Sequence, residues 1–406
     1  MKSFSLSNHF PFIQNSSFNH PRGVLFVFCI CFAAAVPAVK ADYTFRIIAD
    51  STGPFSSLGD ISLNASGTVA FSGRLDDGSY GIFKSDGIAT TTIFSTTVRL
   101  AILGNPSINR AGTVAFATRA ALGEAVFSGN GGPLTTIADT TGPFSSFSGT
   151  YSTAINVSGT VAFTASLDSG GGGYFASTGG VVTPLFLNTP TLHPDFNFTF
   201  NDAGTVAFRA YFGQTGATTG IVAHNNGLVT TIVDSSGLLN YFGSAPSLNS
   251  TGTVAFVAGV GGIDGGTYGI YSGNGGLLTT IADLSGPFSA FPSFDFGNPS
   301  INDSGTVGFI AGLDVGGAGV FVGDGTATSE VIGIGDALFG STIATFNISP
   351  TSLNDSGQLA FYYRLANGTT GIALANPVPE PSATLLLAVS LGLSLSRRAS
   401  RQRRAT

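Results

Sequence analysis

The pattern of apolar and polar positions along the chain repeats seven times. Each copy carries an apolar residue, an asparagine, two variable positions and then a phrase close to Gly-Thr-Val-Ala-Phe. Successive asparagines are 45, 47, 45, 48, 53 and 52 residues apart, at Asn64, Asn109, Asn156, Asn201, Asn249, Asn302 and Asn354. A recurrence of this length indicates a repeat architecture in which each unit is one supersecondary motif.

Each unit predicts four short β-strands. Asparagine tolerates left-handed backbone and glycine takes positive φ freely, so the Asn-x-x-Gly phrase predicts a tight turn between the first two strands. In the Val-Ala-Phe strand, Val and Phe fall on one face and Ala on the other, because side chains alternate. Large residues on one face and small ones on the other allow neighbouring sheets to stack. The alanine position is Gly308 in the sixth copy.

Four strands repeated seven times predict an all-β fold, a seven-bladed β-propeller over residues 42–376. Thr44 to Asp50 matches a fourth strand before any first strand has occurred, and the seventh unit ends near Leu374 without a fourth strand. We therefore expect the N-terminal strand to close the ring, which leaves no open sheet edge. The asparagine-bearing strand is expected to be innermost. A β-solenoid and a row of β-sandwiches are the alternatives.

Three linkers carry the phrase Gly-Pro-Phe. They are expected to cross from one blade to the next, with Phe55, Phe144 and Phe288 packed between blades.

The first 41 residues have the pattern of a signal peptide. A basic segment without carboxylates precedes an apolar run from Gly23 to Val39. Val39-Lys40-Ala41 fits a cleavage site, and Val36-Pro37-Ala38 is the second option. Both cysteines, Cys29 and Cys31, lie in this segment. The mature chain is therefore expected to have neither disulfides nor thiol chemistry.

The charge balance argues against one class of partner. The chain has 22 Asp and Glu and 16 Lys and Arg. Three of the basic residues fall in the predicted signal peptide and five follow residue 396, while all the acidic ones lie between Asp42 and Glu380. Because an acidic body repels nucleic acid, no nucleic-acid partner is expected.

Two sets of aspartates recur with the repeat, one in loops after second strands and one at the ends of fourth strands. Turn formation accounts for both sets, since neither has the dense spacing of oxygen ligands found in a calcium loop. Calcium binding by the loop set is the alternative. The loop set is Asp76, Asp168, Asp264 and Asp314, and the strand-end set is Asp50, Asp139, Asp234 and Asp283.

No catalytic constellation stands apart from the repeat. The mature chain has two histidines, His193 in a proline-containing segment read as a surface linker and His224 in a different blade, and neither belongs to a metal or general-base motif. We predict no catalytic, cofactor-binding or metal-binding residue and no cofactor. The leading hypothesis is a non-enzymatic binding or structural module. The alternative is a propeller hydrolase or lyase acting on extracellular polysaccharide, which would need converging acid and base groups.

The last 30 residues follow a different pattern. A proline-rich motif over 378–382 is followed by an apolar run over 383–396 and a basic end: Val378, Pro379, Glu380 and Pro381, then Arg397 and Arg398. Fourteen helical residues span about 21 Å, which is short of the roughly 30 Å hydrocarbon core. The arginines would hold their end in the cytoplasm.

This order closely resembles the PEP-CTERM sorting signal of Gram-negative bacteria. The resemblance implies that an inner-membrane exosortase recognises Pro379-Glu380-Pro381 and cleaves near it, with Arg397 and Arg398 as the cytoplasmic stop. It also implies transient inner-membrane contact through residues 377–406, then delivery to the cell surface or extracellular matrix, often with biofilm. Exopolysaccharide and other surface proteins are the expected partners. A permanent single-span anchor is the alternative. The body also resembles repeat domains of unknown function in such surface proteins.

Overall fold

The computed structural model describes residues 39–40, 42–98, 105–119, 124–147, 153–213, 216, 218–261, 266–292 and 298–379. Every regular element in these ranges is a β-strand, and the strands form seven sheets. The predicted seven-bladed propeller is therefore confirmed. Most of the predicted signal peptide, and the sorting signal from Glu380 onward, lie outside the described residues. Within the ranges given, no helix is long and apolar enough to cross a bilayer.

The blades are numbered in chain order, with strands given from innermost to outermost. Blade I contains Phe55–Leu63, Val69–Leu75, Tyr80–Ser85 and Thr90–Thr96. Blade II contains Ser107–Ile108, Val114–Thr118, Ala125–Gly129 and Thr135–Asp139. Blade III contains a split inner strand, Phe144–Ser146 and Thr153–Ile155, followed by Val161–Leu167, Gly172–Ser177 and Thr183–Leu187.

Blade IV contains Leu192–Phe200, Val206–Phe212, Thr218–Asn225 and Leu228–Asp234. Blade V contains Tyr241–Phe242 and Ser247–Leu248, then Val254–Val260, Thr267–Gly273 and Thr279–Ala282. Blade VI contains Phe288–Ala290 and Ser300–Ile301, then Val307–Leu313, Ala318–Gly323 and Thr328–Gly333, with Val39–Lys40 parallel to its outer strand. Blade VII contains Ser341–Asn347 with the short strand Ala337–Leu338, then Leu359–Leu365, Thr370–Pro377 and Tyr43–Asp50.

Blade VII is completed by the N-terminal strand, as predicted. Tyr43–Asp50 pairs antiparallel with Thr370–Pro377, in a register that places Tyr43 opposite Pro377. One further bond follows this pair, from the Val378 N–H to the Asp42 carbonyl at 2.9 Å. The first and last strands of the propeller sequence are therefore neighbours in blade VII, and the chain enters and leaves the blade at the same end of this strand pair.

Neighbouring blades stack through the two faces expected from the Val-Ala-Phe phrase. Between blades I and II, Val114 and Phe116 pack against Ala70 and Ile82. The same arrangement joins the other blades, for example Val307 with Ala255 between blades VI and V. Each interface thus places the large face of one sheet on the small face of the preceding one, and this is where the hydrophobic core lies.

The linker phenylalanines pack in these interfaces, as expected. Phe55, Phe144 and Phe288 are 4%, 2% and 2% exposed. Phe55 meets Phe71 and Phe83 edge-on, with ring centroids 5.4 and 5.1 Å apart, and those two rings are stacked on each other. Each linker therefore ends by adding a third ring to an aromatic pair of its own blade.

The repeated asparagines have two roles, of which the sequence predicted one. The Asn64 Oδ1 accepts the backbone N–H groups of Ser66 (3.0 Å) and Thr68 (2.9 Å), which fixes the predicted turn. In six of the seven copies the amide nitrogen points the other way and donates to the backbone carbonyl of the asparagine in the next blade. These bonds join Asn64 to Asn109 (3.1 Å), Asn109 to Asn156 (3.1 Å), Asn201 to Asn249 (3.0 Å), Asn249 to Asn302 (3.1 Å), Asn302 to Asn354 (3.2 Å) and Asn354 to Asn64 (3.0 Å).

We call this arrangement the asparagine ring. Its members are only 4–8% exposed, so each bond is made in a site shielded from water. The bond from Asn354 to Asn64 links the last blade to the first at the centre of the propeller. The propeller is therefore closed twice, at the outer edge by strand pairing and at the hub by side-chain amides.

Candidate functional site

The innermost strands surround a central cavity of about 570 Å³. Its wall is built from the residues that precede the asparagine ring in all seven blades. These are residues 60–63, 105–108, 153–155, 197–200, 245–248 and 347–351, with Asn298, Ile301 and Leu353. A cavity of this size at the centre of the ring is the default ligand site of the molecule.

Hydroxyl and amide groups give this wall its polarity. The hydroxyls are those of Ser62, Ser107, Thr153, Thr199, Ser247, Ser349 and Thr351, and the amides are those of Asn105, Asn197, Asn298 and Asn347. Among the lining residues that the structure describes, Asp60 is the single ionisable side chain. Such a surface binds by hydrogen bonding, and Asp60 is the one source of charge among its described residues.

Several serine hydroxyls are occupied in holding blades together. The serine two positions before a hub asparagine accepts a backbone N–H from the following blade. These bonds run from Ile108 to Ser62 (3.3 Å), from Ile155 to Ser107 (3.1 Å), from Ile301 to Ser247 (3.0 Å) and from Leu353 to Ser300 (2.9 Å). They form a second layer of interblade bonds beside the asparagine ring and belong to the scaffold.

One segment of blade VII reaches across the hub. The Ser349 hydroxyl donates to the Ile61 carbonyl of blade I at 2.8 Å. The Pro350 carbonyl accepts the hydroxyls of Ser247 from blade V (2.7 Å) and Ser300 from blade VI (3.1 Å). The segment thus ties three other blades together at the cavity wall.

An amide oxygen and a hydroxyl of the wall have no such engagement. Asn105 Oδ1 and Thr199 Oγ1 are buried and have no hydrogen-bond partner within the protein. Thr199 is 9% exposed. Because buried polar atoms are nearly always paired in folded proteins, these two are available to whatever fills the cavity.

Asp60 is directed into the cavity by a β-bulge. The pairing of Phe55–Leu63 with Val69–Leu75 shifts register between Leu58 and Ile61. A β-carbon on Gly59 would lie 2.4 Å from the Ser72 Oγ, so a larger residue there would force the Ser72 hydroxyl to move. Bulges of this kind re-aim a side chain and often border functional sites.

The environment of Asp60 perturbs its ionisation. Solvent reaches the carboxyl through the cavity, but the surrounding wall desolvates it and raises its pKa, an effect only partly offset by a hydrogen bond from its own backbone. Asp60 also borders a smaller recess of about 210 Å³ between blades I and VII, lined by Asn347, Ser349 and Tyr362 among others. The sequence analysis found no acidic residue apart from the repeat, and Asp60 is the exception that it missed.

A charged cluster in blade IV was also missed. The inner strand bulges between Pro194 and Phe198, and Asp195 in this bulge forms an ion pair with Arg209. Arg209 further donates to the Tyr211 hydroxyl (3.0 Å) and to the Phe242 carbonyl of blade V (3.1 Å). Its charge is thus used to brace the bulge. Aligning the repeats would have revealed it, because the matching positions are Ser72, Ala117, Thr164, Val257, Ile310 and Tyr362.

The strand-end aspartates form turns, as predicted. The Asp139 Oδ1 accepts the Thr141 N–H at 2.9 Å and its hydroxyl at 2.6 Å, and these two bonds lower the pKa of the Asp139 carboxyl. Asp234 is held by Ser236 in the same way, with the same direction of pKa shift. Asp50 and Asp283 accept equivalent bonds from Thr52 and Ser285.

The loop aspartates also follow the turn interpretation. The N–H groups of Asp76, Asp168 and Asp314 each donate to the proline carbonyl of a Gly-Pro-Phe linker at 3.0 Å, while their side chains are exposed. Asp264 lies outside the described residues. No group of three or more His, Cys, Asp or Glu side chains that could hold a metal ion occurs in the described part of the chain.

The prediction for the histidines was wrong in two respects. His193 is half-buried in the inner strand Leu192–Phe200 instead of lying in a surface linker. His224 lies in the same blade, in Thr218–Asn225, and not in a different one. It is buried edge-on against the Phe186 ring at 5.3 Å, and burial lowers its pKa. The linker was misread because the bulge adds residues to this inner strand, which moves its start upstream.

Of the predicted sorting motif, only the beginning is described. Val378 follows the last strand and is 42% exposed, and Pro379 is also exposed. Glu380, Pro381, Arg397 and Arg398 lie outside the described residues.

Several solved structures share the fold at low sequence identity. An oligogalacturonate lyase from Vibrio parahaemolyticus matches with a TM-score of 0.52 and 12% identity, over 84% of this chain and 99% of that one. A puromycin-hydrolyzing peptidase from Mycobacterium tuberculosis matches with a TM-score of 0.51 and 10% identity, over 85% and 56%. The polysaccharide lyase Uly1 has a TM-score of 0.47 and 10% identity, over 85% and 94%. The first two likenesses, with TM-scores above 0.5, show the fold alone.

No curated protein shows significant sequence similarity to this chain. A family model does match, over residues 91–347 and again over 334–385, which together include most of the propeller. The chain therefore belongs to DUF7453, a family of unknown function.

Proposed function

We propose that this protein is exported by a Gram-negative bacterium and displayed at the cell surface or in the extracellular matrix, where the propeller acts as a binding module. The central cavity is the binding site in this proposal. The observation that carries it is the lining: hydroxyl and amide groups from a closed ring of seven blades, with one carboxylate among the described residues. Such a lining offers many hydrogen bonds but no acid–base pair of the usual hydrolytic kind.

Delivery to the surface follows from the resemblance of the C-terminal segment to a PEP-CTERM signal. One contact and the end of the last strand support it. Asp42, next to the predicted signal cleavage site, is hydrogen-bonded to Val378 at the start of the sorting motif. The last propeller strand ends at Pro377. Cleavage near Pro379-Glu380-Pro381 would therefore release the body without removing a strand.

Binding is tested by presenting the purified protein to a panel of exopolysaccharides and oligosaccharides, including those of its own host. Wild type is compared with Asn105→Ala and Thr199→Val, which remove an unpartnered amide oxygen and an unpartnered hydroxyl from the cavity wall. Retention by wild type and loss of affinity in both variants supports the proposal. The absence of any retained saccharide contradicts it.

Sorting is tested by Glu380→Ala in the native host, with release of the protein to the cell surface as the readout. Asp168→Ala, which removes an exposed loop carboxylate, is the matched control. We expect Glu380→Ala protein to accumulate in the inner membrane while the control is processed as wild type. Unchanged processing of Glu380→Ala would sink the sorting hypothesis.

A propeller enzyme acting on extracellular polysaccharide is the second candidate. The observation that favours it is Asp60, whose pKa burial raises, beside Tyr362 in the smaller recess. A carboxyl group with a raised pKa is suited to proton transfer. The same fold carries a lyase in Vibrio parahaemolyticus, so the architecture is compatible with either role.

The two candidates are separated by turnover. Polysaccharides are incubated with the protein and analysed for new reducing ends, which a hydrolase produces, and for the ultraviolet absorbance of an unsaturated uronate, which a lyase produces. Turnover that disappears in both Asp60→Asn and Tyr362→Phe would favour the enzyme. Binding without turnover favours the module.

A further inference from the structure

Charge at the cavity wall has a single sign. Asp60 is the one ionisable group among the lining residues that the structure describes. Arg209 is the nearest cation along the chain to the wall segment 197–200, but it is paired with Asp195 and is not part of the lining. Within the described wall, therefore, no cation is placed to receive the carboxylate, sulfate or phosphate of a ligand.

Acceptors predominate among the unengaged groups of the wall. Asn105 Oδ1 and the ionised Asp60 carboxylate only accept, whereas the Thr199 hydroxyl, buried without a partner, can accept or donate. A complementary ligand must donate hydrogen bonds to Asn105 and Asp60. Sugar hydroxyls do so, and a hydroxyl donated to a carboxylate forms the stronger, charge-assisted kind of bond.

An anionic ligand is mismatched to this wall both in hydrogen bonding and in charge. Its charged groups accept but do not donate, so they leave the Asn105 Oδ1 unsatisfied, and they meet Asp60 with charge of the same sign. The surrounding wall partly desolvates Asp60, which strengthens this repulsion relative to bulk solvent. The acidic body acts in the same direction at longer range.

We propose that the central cavity selects an uncharged, hydroxyl-rich ligand, a neutral saccharide segment, and rejects uronate and sulfated saccharides. Asp60 is the anchoring acceptor, with Asn105 and Thr199 as the further contacts. This inference rests on the proposed binding function and names its ligand class. It also separates this chain from enzymes that act on acidic polysaccharides, which require a group to neutralise the substrate carboxylate.

The test is a comparison of neutral, uronate-containing and sulfated oligosaccharides of similar length, measured at low and at physiological ionic strength. Oligogalacturonides and their methyl esters form a matched pair within the set, since they share a backbone and differ in charge. We expect wild type to bind neutral members about tenfold or more tightly than anionic ones, a difference that narrows as salt rises.

Asp60→Asn keeps the shape of the side chain and removes its charge. We expect this variant to lose about tenfold or more in affinity for the neutral ligand and to discriminate less against the anionic one. Asp76→Asn, in an exposed loop away from the cavity, is the matched control and is expected to bind as wild type. Thr199→Val removes a second contact without altering charge, so it is expected to weaken binding and leave discrimination intact.

The outcomes separate the two proposals. Anionic saccharides bound as tightly as neutral ones, or an Asp60→Asn variant with unchanged affinity and discrimination, would overturn this inference and leave the binding function standing. If wild type retains no saccharide of any class, the proposed function itself fails.

Discussion

Gly308 of blade VI faces Leu359 of blade VII so closely that a β-carbon on Gly308 would come within 2.9 Å of the Leu359 Cδ1. Gly308 occupies the alanine position of its repeat, and Leu359 occupies the position that is valine in the other six copies. The extra methylene of the leucine is therefore accommodated by the missing methyl group of the glycine. The two deviations from the repeat are one compensated pair across the interface that joins the last two blades.

This pair predicts a compensated double substitution. Gly308→Ala alone is expected to destabilise the propeller by about 1–3 kcal/mol, since overpacking forces neighbouring side chains to shift. Leu359→Val in the same chain recreates the alanine–valine pair of the other interfaces and should restore most of the loss. Urea unfolding of both single variants and the double variant gives the coupling energy. Strictly additive effects would show that the two positions are independent.

The asparagine ring predicts that replacing a hub asparagine destabilises the propeller more than replacing a surface asparagine. In Asn249→Asp the retained oxygen can still accept from Thr251 and Thr253, but the donor to the Asn302 carbonyl is lost. We expect a loss of about 1–3 kcal/mol at neutral pH, measured by chemical denaturation. The loss should shrink in acid, where the protonated carboxyl can donate again.

The control for this prediction is Asn367→Asp in an exposed turn. Within the described part of the chain, the Asn367 side chain forms one hydrogen bond, in which its Oδ1 accepts the Thr369 N–H at 3.0 Å. Its replacement is expected to cost little. Equal losses at both sites would mean that the ring bonds contribute nothing beyond the turn.

Closure by the N-terminal strand predicts that a disulfide can lock the ring. Thr44 and Asn376 are opposite each other in the antiparallel pair, a spacing of about 4.5–5.5 Å that a disulfide can bridge. Thr44→Cys with Asn376→Cys is expected to gain about 2–4 kcal/mol when oxidised and to lose that gain on reduction. Thermal unfolding with and without reductant measures it, and the single-cysteine variants are the controls. No difference between the two redox states would indicate that unfolding begins elsewhere.

The raised pKa of Asp60 predicts a stability difference between wild type and Asp60→Asn that depends on pH. Its folded-state pKa lies above the ordinary value of 3.8, so the ionised form is disfavoured by folding. Asp60→Asn should therefore be more stable than wild type at neutral pH. The advantage falls as the pH drops through the raised pKa and vanishes below about 3.8, where Asp60 is protonated in both states.

Asp139→Asn is expected to change stability at neutral pH in the opposite direction from Asp60→Asn. Hydrogen bonds from Thr141 lower the pKa of Asp139, so the ionised carboxylate stabilises the folded protein at pH values above the ordinary pKa of 3.8. This stabilisation is lost as the pH falls through the lowered pKa of the folded state. Asp139→Asn should be less stable than wild type at neutral pH and equal to it in strong acid. Melting temperatures across a pH series measure both variants. If both differences had the same sign and pH course, the burial argument for Asp60 would be wrong.

The architecture could be predicted from the sequence because the turn residues, the side-chain alternation and the strand order of the repeat all indicate the same fold. The Asn-x-x-Gly turn, the alternation in Val-Ala-Phe and the unmatched strand at each end are local patterns, and each has one structural solution. The stacking of large on small faces and the closure by Tyr43–Asp50 followed from them. The signal peptide and the sorting motif rest on sequence alone and stay predictions.

The candidate site was not readable in the same way. Asp60 became distinct only when the bulge at Leu58–Ile61 turned it into the space shared by seven blades. The bond from Asn354 to Asn64 joins residues 290 positions apart, and local pattern carries no information about such a distance. Likewise, His193 and His224 were assigned to different blades because extra residues in a bulge shift the start of a strand without changing its composition.

By itself, the sequence determined the seven-fold repeat, the strand-by-strand layout and the closure of the ring, because turn chemistry and side-chain alternation act over a few residues. Only the tertiary structure decided which oxygens of the hub are consumed in joining blades and which remain for a ligand. That choice depends on how neighbouring blades meet at the axis, where identical serines, threonines and asparagines acquire different partners.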